Sequence, residues 1–307
     1  MTIKIATIIT VFNRKQKTLS SLKHLFAAEM FYNKKYQEER IINVSVFLTD
    51  DGSTDGTADA VRAEFPEHDI TILQGTGNLF WAGGMRMAWK AAINTRTAWD
   101  YYLLLNDDTY MNENCFIELF QTHDYSMKTF GKHGLYSGIT CSPDNPSVTT
   151  YGGYRFTGWA KGKKAILTPT GVPQTADMTH ANILLVHKSI VTSQGIFYEG
   201  FHHGSADFDY SMQARSQGFP LLVTAHVCGT CERDHDSSKE NIERLMNMTH
   251  SERSEYVRQP AHLDNDYLLF VRRNLPLRYP MAIIIRKIRV FFPKLYYYIS
   301  TTRGLYK

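Results

Sequence analysis

Three apolar runs in this chain end on residue types that bind cations and phosphates. Lys4 to Val11 leads into Phe12, Asn13 and Arg14; Val44 to Leu48 stops at Asp50 and Asp51 and turns through Gly52; Tyr101 to Leu105 ends at Asn106, Asp107 and Asp108. If the three lie parallel in one sheet, their carboxyl ends meet at the edge where open α/β sheets bind ligands. That edge then carries two carboxylate clusters and an arginine. Hard divalent cations take carboxylate oxygens and share a ligand's phosphates, so the set suits a phosphate ligand bridged by such an ion. A further acidic pair, Asp207 and Asp209, falls in the first turn of a helix predicted from Phe208, Met212 and Arg215, with Gly218 as its terminator. A helix N-terminus favours the ionised carboxylate, so a general base there is held charged.

The elements that must position these groups follow the α/β pattern. Leu19, Leu22, Leu25 and Phe26 recur at helical spacing between Thr18 and Lys35, so a helix joins the first two strands in a right-handed crossover. A helix over 55–65 has Ser53, Thr54 and Asp55 as candidate caps and Pro66 as its stop, and Thr71 to Gln74 reads as a third strand. The stretch GTGNLFWAGGMRMAWKAA that follows is glycine-rich, with a helix expected to start near Gly84. It is neither a dinucleotide fingerprint, since Phe80 stands where the third glycine belongs, nor a P-loop, since no Lys follows. Exposing Phe80 and Trp81 is costly unless they pack or stack on something. A short helix is expected over 112–123, hairpins over 132–175, strands over 181–187 and 221–227, and one polar helix over 239–256.

Composition bounds the class. With 307 residues and 43% hydrophobic content the chain can bury a large core. No apolar run reaches the roughly 20 residues of a membrane span and no signal peptide opens the sequence, so a cytoplasmic location is expected. Cys115, Cys141, Cys228 and Cys231 are too few and scattered for a disulfide framework. The net charge of +4 is local: residues 1–266 hold 25 Lys and Arg against 30 Asp and Glu, and nine cations with no acid follow Asp266. That tail, cut by Pro276, Pro280 and Pro293, interleaves aromatic and aliphatic residues with cations. It is similar to a membrane-surface segment drawn to anionic headgroups, and alternatively an oligomer interface or a helix packed on the rest.

Four of these stretches, TVFNR at 10–14, TDDGSTDGT at 49–57, GNLFWAGGM at 77–85 and LNDDT at 105–109, together with ADFDYSMQAR at 206–215, resemble the inverting glycosyltransferases of family two. The resemblance covers roughly residues 3–235 and implies the GT-A fold, a mainly parallel α/β sheet flanked by helices. It implies a glycosyltransferase domain over 1–238, with a nucleotide-binding half (1–125) and an acceptor-side half (126–238), ahead of a helical extension over 239–307. By position it implies that Phe12, Arg14, Asp51, Asn78, Trp81, Asn106 and Asp107 contact the nucleotide sugar. Asp108 then holds Mg²⁺ or Mn²⁺, with Asn106 in place of the first carboxylate of the family's D-x-D pattern. In the later acidic motif Ala206 replaces the usual Glu, which leaves Asp207 as the base, while Asp209 orients the acceptor or caps the helix.

The implied reaction moves a sugar from a UDP- or dTDP-sugar to a saccharide or lipid-linked saccharide in surface polysaccharide synthesis, at the inner face of the membrane. It needs one base for the acceptor hydroxyl and positive charge for the leaving diphosphate. Structural alternatives stand beside each assignment: Asp51 and Asp108 as caps or turn residues, and Asp207 as a dipole partner. His226, Cys228, Cys231 and His235 read as buried thiols or as a crowded zinc motif, and either His235 or His226 supplies the further metal-binding histidine that the family often has. A nucleotidyltransferase lacks its glycine-rich early loop in TVFNRKQKT. A nucleic-acid-binding protein leaves the strand-end carboxylates unexplained, because they repel phosphate.

Overall fold

Strands and helices alternate from the start of the chain in a computed structural model that describes residues 2–37, 39–157, 163–233, 238–259 and 262–302. Two compact units result, Met1–Tyr198 with Asp207–Arg233, and Glu199–Ala206 with Asp234–Lys307.

In the first unit β1 (Thr2–Val11), α1 (Lys15–Tyr36), β2 (Ile41–Asp50), α2 (Thr57–Glu64), β3 (Ile70–Gln74), α3 (Phe80–Ile93) and β4 (Tyr101–Leu105) come first along the chain. After them come β5 (Thr109–Met111), α4 (Cys115–Phe130), β6 (Leu135–Cys141), β7 (Thr149–Tyr151), β8 (Gly153–Thr157), β9 (Lys163–Ile166), β10 (Gln174–Thr175) and β11 (Met178–Thr179). The unit closes with β12 (Ile183–His187), α5 (Lys188–Gln194), α6 (Ala206–Ser216) and β13 (Leu221–Cys231). The main sheet runs in the order β10-β13-β6-β12-β4-β1-β2-β3, and β11-β8-β9 make a small second sheet. β4, β1, β2 and β3 are parallel neighbours, as the three charged strand ends require. β12 runs antiparallel to β4 with Ile183 opposite Leu105, so the start of β12 lies at the edge where β4 ends.

The core explains the strand residues. Ile5, Ile9, Leu48, Leu103, Leu105 and Leu185 are buried in one cluster with Leu22, Leu25 and Phe26 of α1 and Phe116 of α4. Fully burying each such side chain contributes about 1.5–3 kcal/mol. α3 starts at Phe80 rather than near Gly84, because a remote carboxylate caps its first amides. Gly84 instead lies inside the helix against β1, where an added Cβ would stand 2.0 Å from Thr10 Oγ1.

In the second unit α7 (Ser238–Asn247), α8 (His250–Tyr256), α9 (Leu263–Asn274), a 3₁₀ turn (Pro276–Arg278), α10 (Tyr279–Phe291) and α11 (Pro293–Thr302) follow one another. The polar stretch expected as one helix over 239–256 is two. Thr249 and Glu252 form a reciprocal capping box that starts α8 afresh. Pro280 sits at the start of α10, where a missing N–H costs nothing. Asp266 of α9 is 1% exposed and accepts the backbone N–H groups of His202 (3.2 Å), His203 (2.7 Å) and Gly204 (2.8 Å). Those bonds fix the loop that runs directly into α6.

Candidate active site

The glycine-rich loop is shaped by Asp51. Its Oδ1 accepts the Gly77 N–H at 2.8 Å, and its Oδ2 accepts those of Leu79 (2.8 Å) and Phe80 (3.0 Å). These are orphan donors of the loop and of the first turn of α3, so the carboxylate acts as a cap delivered from β2. Phe80 takes a left-handed φ of 54° at this turn. The fit leaves no room for a side chain at Gly75, whose added Cβ would lie 2.6 Å from Asp51 Oδ1. Asp51, read from sequence as a contact to base and ribose, thus has its carboxylate turned onto the loop, and what it offers a ligand is the loop's shape. Asn78 stands exposed on that loop, and the Trp81 indole N–H reaches Asn106 Oδ1 at 3.0 Å. Trp81 packs against Phe197, with ring centroids 5.4 Å apart.

Arg14 crosses from the end of β1 to the end of β4. Its Nη1 lies 2.6 Å from Asp108 Oδ2 and 3.4 Å from Asp107 Oδ1. Asn13, with φ 51°, ties the same turn to the β2 end, its side chain accepting the Thr54 N–H at 2.7 Å. Phe12 projects beside it, 54% exposed. Asp107 is buried beside Asp108. Burial first, and the Asp108 charge second, push its carboxyl up to about 7, against the pull of Arg14. Two adjoining carboxylates with one guanidinium are short of positive charge. That shortage fits a divalent ion held jointly by Asp108 and a ligand's phosphates. Among the described residues no three His, Cys, Asp or Glu side chains are grouped to hold an ion.

Asp207 is joined to this turn by two adjacent residues. Its Oδ2 accepts the Ala181 N–H at 3.2 Å, while the neighbouring Asn182 carbonyl accepts the Asn106 N–H at 3.2 Å. The Asn182 side chain continues to Thr109 Oγ1 (3.4 Å) and Cys231 Sγ (3.5 Å), and the Cys231 thiol donates to Asp108 Oδ1 at 3.7 Å. Arg14, the Asp51 loop, Trp81, the Asn106–Asp108 turn and Asp207 therefore border one region. Burial raises the Asp207 carboxyl to about 6, opposed by the Phe208 and Ala181 N–H groups and by Lys164. Ala181 and Asn182 had no motif to announce them, the one cue being an asparagine set directly before an apolar strand, and Cys231 stood out only as a buried thiol or zinc candidate.

Other expectations move. Asp209, expected to orient the acceptor or to cap the helix, lies in the first turn of α6 and is 2% exposed. The zinc motif disperses along β13: the His226 ring bonds Glu118 Oε1 at 3.1 Å, the Cys228 thiol lies on Thr224 Oγ1 at 3.3 Å, and Cys231 turns to Asp108. A β-bulge at Val227 separates them. All four cysteines are buried free thiols. His235 lies outside the described residues.

The sequence profile described as glycosyl transferase family 2 matches residues 7–184, more than half of the chain. The chain belongs to glycosyl transferase family 2. Its activity class is accordingly glycosyl transfer. Among solved structures, this family 2 chain is similar to the mannosyltransferase PcManGT from Pyrobaculum calidifontis, determined with GDP-Man and Mn²⁺. They share 13% identity over 99% of this chain and 81% of that one, with a TM-score of 0.51. It is also similar to residues 1–349 of S. aureus TarS with UDP-GlcNAc, at 14% identity over 94% and 79% of the two chains and a TM-score of 0.50. These likenesses and the mixed, mainly parallel sheet give this family 2 member the GT-A fold. No curated protein matches the sequence.

Proposed function

We propose that this protein is an inverting glycosyltransferase. It moves a sugar from a UDP- or dTDP-linked donor to a saccharide or lipid-linked saccharide in surface polysaccharide synthesis, with Asp207 as general base. The observation that carries this is the link from Asp207 through Ala181 and Asn182 to the Asn106–Asp108 turn. It sets a basic carboxylate beside carboxylates suited to a cation-bridged diphosphate. Asp207 takes the proton of the acceptor hydroxyl as its oxygen attacks the anomeric carbon, and the bond to the nucleoside diphosphate breaks on the opposite face. Arg14, freed from Asp108, turns its guanidinium to the diphosphate, and the loop capped by Asp51 carries Asn78 and Trp81 to the nucleotide sugar. Asp107 holds Arg14 in reserve and Phe12 flanks the base. Asp108, with His235 in this proposal, would hold Mg²⁺ or Mn²⁺, which when bound would supply positive charge to the leaving diphosphate. GDP-Man with Mn²⁺ in the Pyrobaculum structure and UDP-GlcNAc in the TarS structure support a nucleotide-sugar donor.

Incubating the protein with α-linked UDP- or dTDP-sugars, Mn²⁺ and a saccharide panel is expected to give a β-linked product by NMR. An α-linked product would overturn inversion, and nucleotide-sugar formation from a nucleoside triphosphate and a sugar phosphate would overturn the reaction class.

The C-terminal unit supports a peripheral place on the cytoplasmic membrane face. Leu277 is 97% exposed, and Met281, Ile284 and Ile285 of α10, Phe292 after it and Leu295 of α11 are further exposed apolar side chains, interleaved in sequence with Arg278, Lys287 and Lys294. Such side chains beside cations suit an anionic lipid surface. Among the described residues no helix is long and apolar enough to cross a membrane. The protein should co-sediment with anionic phosphatidylglycerol vesicles, and Ile285→Glu should weaken that binding roughly tenfold, at the order of 1 kcal/mol per disrupted surface contact. Equal sedimentation of both proteins would remove the membrane role.

A further inference from the structure

Beside Asp207 three rings cluster about His180, and two of them lie under one lysine. His180, directly before the Ala181 N–H that Asp207 accepts, packs its ring 4.7 Å from Phe208, 5.1 Å from Tyr154 and 5.0 Å from Tyr151. Phe208 follows Asp207 on α6, and Tyr154 meets it edge-on at 5.9 Å. Over both rings stands the Lys164 ammonium, contributed by β9 of the small sheet, 4.3 Å from the Tyr154 centroid and 4.5 Å from that of Phe208. Two hairpin strands and the base-bearing helix thus join in presenting one cation. Nothing in the reaction so far uses it.

The surroundings of Lys164 separate it from an ordinary surface lysine. Its side chain as a whole is exposed, yet its ammonium is partly desolvated, and its pKa is drawn down by that burial while the Asp207 charge pulls it up. Among the described residues the ammonium makes no ion pair. Its partners are ring faces, which attract a cation without neutralising it. A cation in partly water-poor surroundings binds an anion more strongly than one in bulk water. Arg233, at the end of β13, adds a second positive charge felt by Lys164 and Tyr154. A ring-held cation close enough for its charge to act on the Asp207 carboxylate fits an acceptor that brings negative charge of its own. Without it, such an acceptor would be repelled by the Asp207 carboxylate and would hinder its ionisation.

We infer that Lys164, held over Tyr154 and Phe208, is the anchor of an acceptor subsite that takes the phosphate of a phosphorylated saccharide. The inference rests on the glycosyltransferase reading and names its acceptor class. The saccharide lies along the partly exposed edges of His180 and Phe208 with its hydroxyl toward Asp207, and the phosphate lies on the Lys164 ammonium. The phosphate is that of a soluble sugar phosphate or of a lipid-linked one, since both offer the same group.

The test uses the full chain saturated with UDP and Mn²⁺. Binding of a panel of hexoses and N-acetylhexosamines, each as the free sugar and as its 1-phosphate, is measured by saturation-transfer NMR. At least one phosphorylated member is expected to bind ten times more tightly than its neutral form. Lys164→Gln is expected to abolish that gap and Lys164→Arg to keep most of it, with UDP affinity unchanged as the control for folding. A farnesyl ester of the same phosphate separates the two sources: tighter binding of the ester points to a lipid-linked acceptor, weaker binding to a soluble one. Absence of any preference for phosphate in the wild-type protein, or a gap that survives in Lys164→Gln, would overturn the subsite. A wild-type protein that binds neither UDP nor dTDP with Mn²⁺ would instead overturn the donor reading on which the subsite rests.

Discussion

Asp207→Asn is expected to lower the rate constant for sugar transfer by roughly 10²- to 10⁴-fold, the range associated with loss of a positioned general base. The amide keeps the carboxylate's volume and an oxygen for one of its two backbone donors, Ala181 N–H at 3.2 Å or Phe208 N–H at 2.8 Å, while its NH2 faces the other. Two effects on stability oppose each other, and the lost acceptor costs about 1 kcal/mol. Burial disfavours the ionised carboxylate and raises its pKa to about 6, so a neutral amide removes an unfavourable charge at pH 7. The same shift sets the sign of the pH dependence. A base works only when deprotonated, so wild-type transfer should hold above pH about 6 and decline below it. In Asp207→Asn the residual rate should lose that acid limb. Stopped assays across pH 5–8 with matched buffers would show it. A variant within threefold of the wild-type rate, or one with the same acid limb, would remove Asp207 from the chemistry.

How much of this was legible in the residues varies with the range of the interactions. β4 was readable to the residue, because five consecutive buried positions bounded by polar groups leave little choice of period or length. The convergence of Arg14, Asp51 and Asp108 was readable too, since parallel strands joined by crossover helices must deliver their ends to one edge. What escaped was set by contacts between distant segments. The start of α3 depends on Asp51 reaching across from another strand, and local propensity places the helix four residues later, after Gly83 and Gly84. The division of 239–256 turned on a capping box whose sequence, Thr249 to Glu252, was open to reading but lay inside an otherwise continuous polar pattern. The Ala181–Asn182 bridge and the Lys164 ring cluster arise from pairing of β12 and of the small sheet, where the strands are as short as two residues and carry almost no periodic signal. The paired cysteine spacing read as buried thiols before it read as a metal motif, and buried thiols are what the structure holds, the bulge at Val227 sending the side chains to different neighbours.

The account depends most on a single donor pocket in which Asp108 meets the phosphates. Its most direct test is isothermal titration of UDP, GDP and dTDP, with and without Mn²⁺, into the wild-type protein, Asp108→Ala and Asp207→Asn. Asp108 pairs with Arg14 at 2.6 Å and in the proposed site would also hold the ion, so its loss would take that carboxylate from the cation and leave Arg14 on Asp107 alone, at 3.4 Å. The expected result is that Mn²⁺ tightens UDP or dTDP binding at least tenfold in the wild-type protein, about 1.4 kcal/mol. Asp108→Ala should lose that gain, and Asp207→Asn should keep it. UDP binding that is equally tight with and without Mn²⁺, or equally metal-dependent in Asp108→Ala, would contradict the pocket.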